Sequence, residues 1–238
     1  MTIEAMKKTA TALKDLLREA QQERAKALSH QDEHLTDEGL NAKRNELAKE
    51  VAAKYGPQID RLESVLDAES ATVARLGQGA RPKVDAATVD RAWAHVKTRL
   101  DQGMPLQTVL ANATIEEAIA IRTNAPAMLD AQAYKAHASK GVAAGTYEPF
   151  DASPLERAVD QRLSKALRQA GKTAEADLLD ASHAAAVVHA GAGPALRHTR
   201  NVLAGQATAG GLQAAVDSHY AAAQAGNAAV PTGGEDAA

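Results

Sequence analysis

The chain has 238 residues, with 27 Lys plus Arg against 30 Asp plus Glu, a formal net charge of −3 and no cysteine. The missing cysteine excludes disulfides, thiolate metal sites and a cysteine nucleophile, and near-balanced charge argues against wrapping nucleic acid, which needs a basic surplus. No apolar run approaches the roughly 18–20 residues that cross a bilayer. The opening MTIEAMKKTATALKDLLREA mixes acids with its apolar residues, so no secretory segment is read there and a cytoplasmic location is expected.

Alanine supplies 56 residues, whereas Leu, Ile, Val and Phe together supply 42. Alanine is the best helix former but buries little surface. The composition therefore predicts an all-α chain with many helices and thin apolar seams.

Residues 1–76 are charge-dense and read as a coiled-coil helical hairpin. Apolar positions Ile3, Met6, Ala10, Leu13, Leu17 and Ala20 follow the 3, 4, 3, 4, 3 spacing of a heptad seam, with Arg24 in the next core slot. Ser29 to Gly39 reads as a turn in which Thr36 caps the following helix. That helix carries Leu40, Leu47 and Val51 to Tyr55, where Gly56-Pro57 predicts a kink or break. A third stretch repeats the heptad through Ile59, Leu62, Leu66, Val73 and Leu76, with Glu69 in one core slot. Seams this short are marginal alone, so pairing within the chain or between chains is expected.

Gly77 to Pro82 has the composition of a linker. Residues 83–140 then read as short helices. Asp85 or Thr88 caps one with the face Val89, Trp93, Val96 and Leu100; Leu106, Val109 and Leu110 follow. Thr114 to Glu117 fits a capping box, and Pro126 opens a further helix through Met128, Leu129 and Tyr134. Residues 141–153 read as a linker or an ordered loop anchored by Tyr147 and Phe150. An Ala-rich helical region spans 153–223. Ser153-Pro154-Leu155-Glu156 starts its first helix, which ends at Gly171. Thr173 caps a second ending at Gly191, Pro194 starts a short third, and Leu212, Val216 and Tyr220 mark a last amphipathic piece. Residues 225–238 read as a disordered acidic tail.

Motifs for chemistry are absent. Ala170-Gly171-Lys172-Thr173 supplies the end of a P-loop, but Ala166 stands where its first glycine is needed and the site follows a helix. A helix terminus at Gly171 and an N-cap at Thr173 account for it. His30 and His34 have the spacing of two metal ligands on a helix, yet lie in a turn with no third ligand. His183 and His189 fall on different helix faces, and His198 lies between Arg197 and Arg200. There is no nucleophile elbow, zinc-protease motif or dinucleotide fingerprint. The sequence thus gives no catalytic residue, metal ligand or cofactor site.

The segment LTDEGLNAKRNELAKEV, the Ala-rich helical body and the Gly-Glu-Asp-Ala-Ala ending together resemble head-morphogenesis proteins of tailed phages, either scaffold-like or minor structural components. The resemblance implies a non-enzymatic assembly role, in the host cytoplasm or the virion. Its partner would be a second copy or another phage structural protein. The candidate contact residues are Ile3, Met6, Leu13, Leu17, Leu62, Leu66, Val73, Trp93, Arg197 and Arg200. Two alternatives stand beside this reading. One is a regulatory module touching nucleic acid or an acidic partner through Arg157, Arg162 and Arg168, or through Arg197 and Arg200. The other is an enzyme with no recognisable motif.

Overall fold

A computed structural model of the chain describes residues 3–140 and 144–206. Among these the fold is all-α, with seven α-helices, one short 3-10 turn (Ala144–Thr146) and no strand. The amphipathic piece around Leu212 to Tyr220 and the acidic tail lie outside the described residues. The helices form two units. One takes the described residues up to Arg75 together with those from Ala184; the other takes Leu76–His183.

The first unit is built from three helical segments. Helix α1 (Ile3–Leu28) buries Met6, Ala10, Leu13, Leu17, Ala20 and Ala27, the positions of its heptad. In the turn that follows, Asp32 Oδ1 accepts the His34 N–H at 3.0 Å and Arg44 Nε donates to the His30 carbonyl at 2.8 Å. Thr36 Oγ1 accepts the Gly39 N–H at 3.2 Å, the capping read from the sequence. Helix α2 (Asp37–Ala80) then runs for 44 residues without the break expected at Gly56-Pro57. An interior proline costs roughly 3 kcal/mol. Tyr55 and Ile59, on either side of it, are 2% and 1% exposed. Each such side chain gains about 1.5–3 kcal/mol by burial, so together they outweigh the proline. Pro57 and Ala53, whose carbonyl loses its N–H partner, are both exposed, so water can take that carbonyl.

The third segment is the C-terminal part of α7 (Thr173–Leu203). Ala185, His189, Ala192, Leu196, Thr199 and Leu203 repeat the 4, 3, 4, 3, 4 spacing of a seam, made here mostly of small and polar residues. His189 Nε2 lies 2.7 Å from Asp67 Oδ1, Gln21 Nε2 donates to Thr199 Oγ1 at 2.7 Å, and Arg24 Nη1 donates to the Leu203 carbonyl at 2.9 Å. These contacts run α7 parallel to α1 and antiparallel to α2. Arg24, the charge in a core slot of α1, thereby satisfies a carbonyl at the C-terminus of α7 where a cation is favoured. The helix end expected at Gly191 and the start expected at Pro194 are both absent, since α7 continues through them with Pro194 buried.

In the second unit α2 continues to Ala80, through the glycines that read as a linker. A Cβ on Gly77 would stand 2.5 Å from Ser182 Cβ, so this glycine serves a close approach of α2 to α7 rather than a flexible joint. Helices α3 (Ala86–Asp101), α4 (Leu106–Ala111), α5 (Ile115–Ser139) and α6 (Ser153–Gln169) complete the unit. Asp85 caps α3 and Thr114 forms the expected capping box with Glu117. Pro126 lies inside α5 instead of opening a helix, and α6 is capped at Ala152, one residue before the serine expected there. Val96, Ile121, Leu155, Leu163 and Leu167 are all fully buried in one core, with Trp93 and Phe150 packed against it. Gly171 has φ +77°, and the Lys172 N–H returns to the Leu167 carbonyl at 2.8 Å. That is a helix C-terminus, not a phosphate cradle.

Candidate interaction surface

An open surface with apolar lining lies on the hairpin. The Tyr55 hydroxyl donates to Glu19 Oε1 at 2.7 Å and fixes the antiparallel register of α1 on α2. That hydrogen bond, with burial, raises the tyrosine pKa above its ordinary value, against the opposing Lys54 ammonium. Away from α7, the two helices leave a groove of about 670 Å³ whose apolar lining is Ala12, Leu16, Leu62 and Val65 and whose polar rim is Asp15, Glu19, Gln58 and Arg61. A second depression of about 370 Å³ lies further along the same pair, over Ala27, Leu47, Val51 and Tyr55. Both are open troughs between two helices, the form that receives another helix.

The contact residues read from the sequence divide between the interior and this surface. Met6, Leu13, Leu17, Leu66 and Val73 are at most 3% exposed within the chain itself. Ile3 and Leu62 are half-buried, and Leu62 lines the groove. Trp93 is partly buried against the core of the second unit. Arg197 is exposed, whereas Arg200 is held by Asp60 at 2.7 Å and by Glu63. The groove residues Leu16 and Val65 escaped the heptad reading. Each is one half of an apolar doublet, Leu16-Leu17 and Val65-Leu66, whose other half occupies the seam. The doublet is the signal that a helix has apolar surface beyond its seam.

The remaining polar groups hold the fold together. Asp160 accepts from Arg81 at 2.7 Å and lies 3.4 Å from Arg122, which also pairs with Glu156 at 2.9 Å. Arg168 spans Asp177 and Asp180, neutralising one of the arginines considered for nucleic acid. Burial alone would raise the Glu117 pKa, but Arg99 and the Thr114 N–H bring it below its ordinary value. Asp130 accepts the Phe150 N–H at 2.8 Å and the Tyr147 hydroxyl at 2.7 Å, which lowers its pKa and pins the loop before α6. Among the described residues no group of three or more His, Asp or Glu side chains could hold a metal ion. No described helix is long and apolar enough to cross a membrane. No protein family, curated protein or solved structure matches the chain.

Proposed function

We propose that the chain is a non-enzymatic structural or assembly protein that works through helix–helix contacts. The observation that carries this reading is the open groove on the hairpin, with Leu16, Leu62 and 40%-exposed Val65 between charged rims. An apolar trough with a polar border is the form of an interaction site. The compositional resemblance to tailed-phage head-morphogenesis proteins supports virion assembly as its setting. A photo-crosslinking amino acid placed at Leu62 and expressed in the producing cell tests the reading, with exposed Lys97 as the control position. One discrete protein adduct from position 62, absent from position 97, is the expected result. No adduct from position 62 contradicts it.

A further inference from the structure

We propose that the α1–α2 groove is covered by the same groove of a second copy of this chain, related by a two-fold axis parallel to the helices. The proposal rests on the helix-contact reading above and names its partner. The register set by Glu19 and Tyr55 determines which charges stand at one height. Asp15 on α1 and Arg61 on α2, both on the rim of the groove, lie within about 3 Å of one height along the helix axis.

Within one chain these charges stay largely unused. Arg61 meets no acid among the described residues. Asp15 holds only the exposed Arg18, a pair worth little in water. A two-fold axis parallel to the helices preserves height and sets α1 of one copy against α2 of the other. It places Asp15 before the partner's Arg61, while Leu16 and Val65 close the apolar centre. The other isologous arrangement, with the axis across the helices, lays α2 on α2. Centred on the groove, that arrangement sets Arg61 against the partner's Gln58 and Val65 rather than against Asp15. Over the length of α1, about 39 Å, two helices each roughly 10 Å wide present of order 800 Å² per chain, the size of a standard interface.

The test is the mass of the full chain by light scattering and its dissociation constant by sedimentation, for wild type, Asp15→Arg, Arg61→Glu and the double variant. The wild type is expected to be a dimer, each single reversal to weaken it by at least about tenfold, and the double variant to recover to within about threefold. Thermal unfolding of all four in dilute solution controls for folding damage. A wild type that stays monomeric to about 1 mM, or a double variant no better than either single one, overturns the proposal. A monomer whose position 62 still captures a different protein overturns the self-pairing alone. A monomer with no capture overturns the functional reading too.

Discussion

The two units use the same alanine-rich material to opposite ends. In the second, Leu155, Leu163 and Leu167 of α6 and Ile121 of α5 are fully buried in one core. Its central ion pairs are sheltered too, with the Arg81 and Asp160 side chains 23% and 19% exposed. In the first, the seam is narrow, the third helix contributes mostly small and polar residues, and pairs such as Glu4–Lys7 are 70% and 53% exposed. Its apolar residues therefore do not all fit inside, and Leu16 and Val65 remain in an open groove. A thin seam leaves surface to offer a partner where a filled core does not.

The sharpest break of this comparison is truncation on each side. Leu163→Ala should destabilise the chain by about 2–5 kcal/mol, because a fully buried leucine leaves a cavity. Val65→Ala in the groove should stay within about 0.5 kcal/mol, both read by urea unfolding in dilute solution. Asp160→Asn should cost about 1–3 kcal/mol by leaving Arg81 and Arg122 short of an acceptor, whereas Glu4→Gln should be nearly silent in the same assay. Gly77→Ala should cost about 1–3 kcal/mol in melting experiments, since its Cβ meets Ser182 at 2.5 Å. Gly79→Ala, with no atom within 4 Å of its Cβ, should instead stabilise α2 by about 0.5–1 kcal/mol. The smallest effect concerns pH. The Asp130 pKa is lowered in the fold, so its hold on Phe150 and Tyr147 is complete above about pH 3.9 and is lost as pH falls through the lowered value. The amide shift of Phe150, followed by NMR, should titrate below that pH and lose the transition in Asp130→Asn.

Much of the helical pattern is legible in the residues. The heptad of α1, the caps at Thr36, Asp85 and Thr114, and the terminus at Gly171 all follow from local chemistry. Proline and glycine are where local reading fails. Pro57, Pro126 and Pro194 lie inside helices because buried neighbours such as Ile59, Leu129 and Leu196 outweigh one lost hydrogen bond. Gly77 looks like a linker residue until Ser182 is found against it. The third segment of the first unit was hidden for another reason. Its seam of Ala185, Ala192 and Thr199 carries almost no hydropathy signal, although its spacing is regular. The groove could not be read as a surface before α1 and α2 were placed in register, but the doublets Leu16-Leu17 and Val65-Leu66 mark its lining.

The measurement that bears most directly on the groove is the solution mass of the full chain beside that of Leu16→Glu, at concentrations from micromolar to millimolar. The wild type is expected to double from its 24.8 kDa monomer while Leu16→Glu remains at the monomer mass with an unchanged helical spectrum. Equal masses for the two at every concentration would contradict it.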